Sequence, residues 1–290
     1  MRVLITGIDG FTGSYLKDLL IKNNYDVYGT TLKKTTPKNF NCDLRNFKRC
    51  NDIIHEVSPN IIIHLAAITH VAHQDSKEIF DINISGTKNI LEAFKSLDVE
   101  FKQFIFASTS NVYKPQEGKL NEDSKILPMN EYAISKYACE NLVNLYGNYF
   151  NTVVLRFFNY TGLKQRDNFL IPKIVSHFKM KSDYIELGDI SVKRDFSDVR
   201  DIAKVYLELI NKKEKDLTLN VCSGKAISIQ DVINICERIT SHSIKIKTNP
   251  DFIRPNEIQT LCGDTESIEK FIPNEDRIQI EDTLSWMLTG

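Results

Sequence analysis

Apolar residues along this chain of 290 residues fall into two alternating kinds of run. Short, nearly unbroken stretches at Arg2 to Thr6, Asp26 to Thr31, Ile61 to Leu65, Phe104 to Ala107 and Thr152 to Phe157 have the length of strands buried on both faces. Between them, Phe11 to Ile21, Phe47 to Val57, Ile79 to Leu97 and Tyr132 to Tyr149 space their apolar residues at helical intervals. Strands that alternate with helices of this length predict an α/β fold, a doubly wound parallel sheet with helices on both faces. Beyond Asn159 the alternation loosens. Helices are predicted over Phe169 to Met180, Asp198 to Asn211 and Ser228 to Thr240, with short strands at Tyr184 to Leu187 and Ser243 to Lys247. The pattern predicts a first domain over residues 1–160, with a returning segment near 190–225, and a smaller C-terminal α/β domain made mainly of 161–290. There is no internal repeat and no low-complexity segment.

Charge changes this picture little. Lys and Arg number 37 against 38 Asp and Glu, so 37 − 38 leaves −1 at pH 7, and no general attraction to nucleic acid or to an anionic membrane is indicated. Cys42, Cys50, Cys139, Cys222, Cys236 and Cys262 form no C-x-x-C pair and have no histidine at zinc spacing. They read as reduced, buried residues of a reducing compartment, with no metal site. The opening MRVLITG runs straight into a strand with no signal-peptide pattern, and the apolar run from Ile61 to Ile68 is far short of the ~20 residues of a membrane helix. A cytoplasmic protein is expected.

The first candidate chemistry is a glycine turn. Gly7, Gly10 and Gly13 stand in Thr6-Gly7-Ile8-Asp9-Gly10-Phe11-Thr12-Gly13, between the first predicted strand and the first predicted helix. Glycine belongs where the chain turns tightly, where backbone approaches a pyrophosphate and where helix packs on strand. The helix start at Phe11 and Thr12 then offers N–H groups to the phosphates. The spacing G-x-x-G-x-x-G is one residue looser than the usual dinucleotide fingerprint, yet three of the twelve glycines gathered in this one context point to a dinucleotide. About twenty residues on, where an acid would take the adenosine ribose of NAD, the chain reads Thr30-Thr31-Leu32-Lys33-Lys34. Hydroxyl and ammonium groups suit a 2′-phosphate, so Thr31 and Lys33 predict NADP(H) over NAD(H), a solvated loop being the other reading of the lysines. Asp43 and Leu44 follow a strand tip and are candidates for the adenine edge, or else an ordinary surface turn.

Tyr132 and Lys136 lie four apart on a predicted helix, hence on one face. A nearby ammonium favours the phenolate and suits tyrosine to acid–base work on an alcohol and ketone pair. Tyr160 and Lys164 have the same spacing but sit in a glycine-containing loop. Context separates the two pairs, because the strand ahead of Tyr132 ends in Ser108-Thr109-Ser110, a place from which a hydroxyl can reach the carbonyl oxygen that Tyr132 would protonate. Taken alone, that cluster is an ordinary strand-end turn.

TGIDGFTG at 6–13, HLAA at 64–67, STSNVY at 108–113 and YAISK at 132–136, with Glu140 one turn on, resemble the extended short-chain dehydrogenase/reductase family, and the resemblance runs almost end to end. It implies a Rossmann-type fold and Thr109, Tyr132 and Lys136 as the catalytic set, with Lys136 also holding the nicotinamide ribose. It further implies Asn83 as a structural or relay residue, Leu65, Ala66 and Ala67 beside the cofactor, and a homodimer through the helices around Phe80 to Phe94 and Tyr132 to Tyr149. Arg156 to Gly162, Gln165 to Lys173, Lys193 to Asp201, Leu219 to Gly224, and Arg254 to Glu257 with Gly263-Asp264 are similar to the nucleotide-sugar branch, above all to GDP-6-deoxy-D-mannose reductases and GDP-mannose 4,6-dehydratases. By that resemblance Arg194 and Arg254 clasp the diphosphate and nucleoside. Ser108, Asn159 and Lys173 line the path of sugar and diphosphate, and Glu257 accepts from a ribose hydroxyl. Each arginine taken singly would be a surface ion pair. Two places depart from the family: Leu163-Lys164 replaces a proline-glycine, and the tail after Phe271 lacks a glycine-tryptophan.

Dehydratases of this branch carry one or two carboxylates just after the catalytic threonine. Ser110 and Asn111 stand there instead. Neither can act as a carboxylate acid or base, which leaves a single hydride transfer. The expectation is therefore NADPH-dependent reduction of the C4 keto group of an NDP-4-keto-6-deoxyhexose, with a GDP-linked substrate favoured. Two alternatives stand beside it: an NDP-sugar 4-epimerase that retains NAD, and a non-catalytic NADP-binding regulator on the same fold.

Overall fold

The computed structural model describes residues 1–33, 35–69, 75–253 and 258–290. In chain order the elements are β1 (Arg2–Thr6), α1 (Phe11–Lys22), β2 (Asp26–Thr31), β3 (Asn39–Asn41), α2 (Phe47–Val57), β4 (Ile61–His64), α3 (Ser76–Phe80), α4 (Gly86–Lys95), β5 (Gln103–Thr109), β6 (Lys119–Leu120), α5 (Glu131–Leu145) and β7 (Asn151–Phe157). There follow β8 (Asn159–Thr161), α6 (Leu170–Lys179), β9 (Tyr184–Leu187), β10 (Lys193–Asp198), α7 (Val199–Lys212), β11 (Leu217–Val221), β12 (Ala226–Ser228), α8 (Ile229–Thr240), β13 (Lys245–Thr248), β14 (Thr260–Gly263) and α9 (Ile280–Thr289). They make two compact units. One comprises Met1–Lys114, Ser124–Phe157 and Ala203–Leu219; the other comprises Pro115–Asp123, Phe158–Ile202 and Asn220–Gly290.

The first unit is built on a seven-stranded sheet in the order β11-β7-β5-β4-β1-β2-β3. The pairs from β7 to β3 are all parallel. Strand order reverses at β1 and β4, because the chain leaves β1 towards β2 and β3 and then returns to the other side of β1. In open α/β sheets, ligands bind beyond the carboxyl ends of the strands at such a switch point. Leu4, Ile62, Phe104, Phe106 and Val154 project from the strands into a core closed by Ile53 and Ile54 of α2, Ile90, Leu91 and Phe94 of α4, and Cys139 and Val143 of α5. Capping fixes the helix starts: Asn46 accepts from the Arg49 N–H at α2, and Asn130 from the Ala133 N–H at α5, at 3.0 and 2.8 Å. Ser58, with φ of 44°, ends α2 in the left-handed region.

The run from Ile79 to Leu97, predicted as one regular helix, contains a turn of π-helix at Asp81–Ser85. There the Asn83 carbonyl accepts from Thr87 Oγ1 at 2.5 Å and from Cys139 Sγ at 3.1 Å, beside the backbone N–H of Gly86.

In the second unit, β12, β10, β14 and β6 lie side by side, with β8 also paired to β10. β9 and β13 form a separate parallel pair. Ile174 and Phe178 of α6, Val232 and Ile233 of α8, and Leu284 of α9 form its core with Ile185 and Phe196. Ser228 and Asp231 make a reciprocal capping box at α8. Among the described residues no helix is long and apolar enough to cross a membrane. All six cysteines are buried and free, the sulfurs of Cys42 and Cys50 lying 3.7 Å apart.

Candidate active site

The glycine turn sits at the switch point. Gly7 has φ of +72°, a conformation L side chains rarely adopt, and a Cβ there would stand 3.2 Å from the backbone of Ala66 beyond β4. At Gly13 a Cβ would meet the Gly7 carbonyl oxygen at 2.6 Å, so only glycine lets α1 start this close to the turn. The N–H groups of Gly7 and Ile8 both donate to Thr30 O, at 3.0 and 3.2 Å, which staples the turn to the tip of β2. No side chain caps α1, and its first turn holds no carboxylate. A diphosphate fits such an N-terminus, where backbone donors and the helix dipole both favour an anion. Phe11, half-buried, and Thr12, buried, open that helix.

Beneath the turn runs a chain of buried polar groups that sequence reasoning missed, apart from Asn83. Thr6 Oγ1 accepts from the N–H groups of Leu65 and Ala66, both at 3.1 Å. Its own proton therefore goes to His64 Nδ1, 2.7 Å away. Thr87 Oγ1 gives its proton to the Asn83 carbonyl, so it must accept from His64 Nε2 at 2.9 Å. Only the Nε2–H tautomer satisfies both ends. Burial, helped by the Lys136 ammonium, holds the His64 pKa at about 3, and the ring is neutral at working pH.

Thr109 is the last residue of β5, and its hydroxyl accepts from the Asn111 N–H at 3.2 Å. α5 packs against β5 and the turn that follows it. Tyr132 and Lys136 lie one turn apart on that helix, 8% and 3% exposed. The Lys136 ammonium rests 4.2 Å above the ring of Phe106. Burial lowers its pKa from 10.5 to about 8, against the pull of Cys139 and Glu140 in the other direction. Asn83 holds this helix in place: Nδ2 donates to Ile68 O at 3.1 Å and to Ser135 Oγ at 2.9 Å, and Oδ1 accepts from Ile68 N–H. Ser135 Oγ in turn donates to the Tyr132 carbonyl at 2.8 Å. The other pair with this spacing is differently placed, since Tyr160 lies in β8 and Lys164 has φ of 68° in the following turn.

Ser108, expected on the substrate side, donates its hydroxyl proton to Glu140. Glu140 is paired with Arg156 Nη2 at 2.7 Å, with side chains only 3% and 9% exposed, and Arg156 Nη1 donates to the Tyr113 hydroxyl at 3.0 Å. This ion pair ties β5, α5 and β7 together behind the hydroxyl cluster.

At the β2 tip Thr31 is buried and Lys33 exposed. The carboxylate of Asp43 is engaged by Arg45 at 2.6 Å. Leu44 is buried, its carbonyl accepting from Asn89 Nδ2 at 2.8 Å, and Leu65, Ala66 and Ala67 are half-buried beyond β4.

The remaining expected residues belong to the second unit. Asn159 and Phe196 are register partners on β8 and β10, with Arg194 two residues before Phe196. Asn159 Nδ2 donates to Asp195 O at 3.4 Å, and Arg194 Nη1 to the carbonyls of Lys193 and Ile258 at 2.8 and 2.7 Å. Lys173 donates to Glu186 O at 2.7 Å and lies 4.5 Å over the Phe252 ring. Arg254, Glu257 and Lys34 lie outside the described residues.

The chain as a whole matches the family model described as GDP-mannose 4,6 dehydratase over residues 4–287. The chain belongs to that family. Within the GDP-mannose 4,6-dehydratase family it is 34% identical over 279 residues to GDP-6-deoxy-D-talose 4-dehydrogenase of Aggregatibacter actinomycetemcomitans, covering 96% of this chain and 93% of that protein. It is 31% identical over 274 residues to GDP-6-deoxy-D-mannose reductase of Pseudomonas aeruginosa, covering 90% and 88%. The solved structure of RMD from Pseudomonas aeruginosa complexed with NADPH matches with a TM-score of 0.87 at 29% identity, over 99% of this chain and 96% of that one.

Proposed function

We propose that this oxidoreductase reduces the C4 keto group of a GDP-linked 4-keto-6-deoxyhexose with NADPH. The observation that carries the reading is the Tyr132 and Lys136 pair on α5, tied down by Asn83 and Ser135, in a chain with Ser110 and Asn111 where a dehydratase needs carboxylates. The two similar proteins, a GDP-6-deoxy-D-talose 4-dehydrogenase and a GDP-6-deoxy-D-mannose reductase, support a GDP-linked 6-deoxyhexose.

A bound reduced nicotinamide dinucleotide supplies the hydride that forms the new C4–H bond. The chain's residues do the rest. The α1 N-terminus and the glycine turn take the diphosphate. Tyr132 gives its phenolic proton to the C4 oxygen as charge builds there, and Thr109 hydrogen-bonds the same oxygen. Lys136, as an ammonium, favours the phenolate that Tyr132 leaves behind and holds the nicotinamide ribose. The first unit serves as the dinucleotide domain; Asn159, Lys173, Arg194, Arg254 and Glu257 serve the nucleotide sugar.

The test is the loss of nicotinamide absorbance when NADPH, purified protein and GDP-4-keto-6-deoxymannose are mixed. Stoichiometric loss of NADPH is expected, with the product in the manno or talo configuration at C4. No oxidation with GDP-, dTDP- or CDP-linked 4-keto sugars, together with NAD released on denaturing the protein, would overturn the reading in favour of a 4-epimerase.

A further inference from the structure

The β2 tip lacks the acid that usually takes an adenosine ribose, but the tip does not lack a carboxylate. Asp9, two residues after Gly7 in the glycine turn, receives the Thr31 hydroxyl on Oδ2 at 2.6 Å. The direction of that bond is fixed. A carboxylate can only accept, so the Thr31 hydroxyl proton is donated to Asp9, while Thr31 Oγ1 itself accepts from the Lys33 N–H at 2.9 Å. Nor is the juxtaposition a loose surface contact. The Gly7 and Ile8 N–H groups both bond Thr30 O, and Gly29 of β2 has no side chain because Ile8 fills the space, a Cβ there standing 2.5 Å from Ile8. Three successive residues of β2 thus hold the turn so that Asp9 hangs over the end of the strand. Thr31 lies in the region of chain, some twenty residues past the first glycine, where a dinucleotide fold puts its ribose-binding acid.

We propose that Asp9 is a cofactor-selecting residue: its carboxylate, delivered by the glycine turn and oriented by Thr31, accepts from the adenosine ribose hydroxyls of the unphosphorylated dinucleotide, so that the chain binds NADH as well as NADPH. This rests on the dinucleotide reading given above and deepens it. The two cofactors are recognised by opposite charges on one loop. A free 2′-hydroxyl donates to Asp9, whereas a 2′-phosphate is repelled by Asp9 and drawn to the exposed ammonium of Lys33. A single carboxylate then sets the ratio between them.

Direct titration of NADH and NADPH against purified protein, without sugar nucleotide and read by the quenching of protein fluorescence, tests this apart from turnover. The unaltered protein is expected to bind both, within roughly tenfold of each other, since one charged hydrogen bond is set against one ion pair. Asp9→Asn should move the ratio of dissociation constants towards NADPH by about tenfold or more, the size of a charge-assisted bond. Thr31→Val, which frees Asp9 without removing it, should give a smaller shift in the same direction, and Thr31→Ser none. An unchanged ratio in both Asp9→Asn and Thr31→Val would overturn the assignment, as would failure of the unaltered protein to bind NADH. Binding of neither dinucleotide would sink the cofactor reading as well. Normal binding without NADPH oxidation on the sugar would sink the substrate reading alone.

Discussion

Lys136→Met should abolish activity and, in the protein stripped of cofactor at neutral pH, raise stability. Lys136 is 3% exposed, and burial takes its pKa from 10.5 to about 8. At roughly 1.4 kcal/mol per pH unit, that drop of about 2.5 corresponds to about 3 kcal/mol spent on carrying the ammonium inside the fold at pH 7. The contact with the Phe106 ring, worth ~1–2 kcal/mol when desolvated, offsets part of this. Methionine has nearly the same length and no charge, so the variant should gain about 1–2 kcal/mol, or roughly 2–6 °C in Tm. The sign follows from linkage. A lysine whose folded pKa lies below its unfolded value penalises the folded state while it is charged, and the penalty fades as pH rises through about 8 towards 10.5. The stability difference between variant and parent should therefore be nearly full at pH 7 and fall to about a quarter of that at pH 10. Differential scanning calorimetry of both proteins, stripped of nucleotide, across that range is the assay. A variant less stable than its parent at pH 7, or a gap that ignores pH, would refute the reasoning.

Tyr132→Phe removes the proton donor but not the surroundings, so kcat should fall by about 10²- to 10⁴-fold while dinucleotide binding stays near normal; near-parental turnover would remove Tyr132 from its role. Glu140→Ala leaves the Arg156 guanidinium buried without its carboxylate and should cost about 3–5 kcal/mol in urea unfolding. If α5 lies in a dimer interface, Leu145→Arg should yield monomers in sedimentation, since Ile134 and Leu145 are 44% and 70% exposed on that helix; a dimer that survives it would move the interface elsewhere.

The strands of the first sheet are legible because a strand covered on both faces must be apolar throughout, as Ile61, Ile62 and Ile63 are. β10 defeats that logic. It reads Lys193-Arg194-Asp195-Phe196-Ser197-Asp198, yet Asp195 and Asp198 are 0% and 1% exposed. The structure satisfies them locally: Asp195 accepts from Ser223, Gly224 and Gly263, and Asp198 from Thr283 and Arg200. Arg200 apart, these partners lie 28 to 85 residues away in sequence and leave no periodic signal. The same holds at the site. Tyr132, Lys136 and the glycines announce themselves by spacing, whereas Asp9 stands in plain view within the glycine motif but becomes meaningful only once β2 folds back beneath it. The chain through Thr6, His64 and Thr87 could have been suspected only from polar residues standing at the ends of apolar strands.

The seven-stranded sheet also sets a timetable. Its outermost strand beside β7 is β11, from Leu217–Val221, the last of the sheet's strands in chain order. A ribosome that has released Phe157 has delivered six of the seven strands, but β7 still presents an open, apolar edge, with Val153, Val154 and Leu155 all but fully buried only in the finished protein. At synthesis rates of about 5–20 residues per second, that edge waits several seconds for its partner. During that interval it is a template for strands of other chains. The nascent protein is therefore most in need of a holding chaperone between the emergence of β7 and that of β11, and truncations inside this window should yield aggregates where full-length chain yields soluble protein.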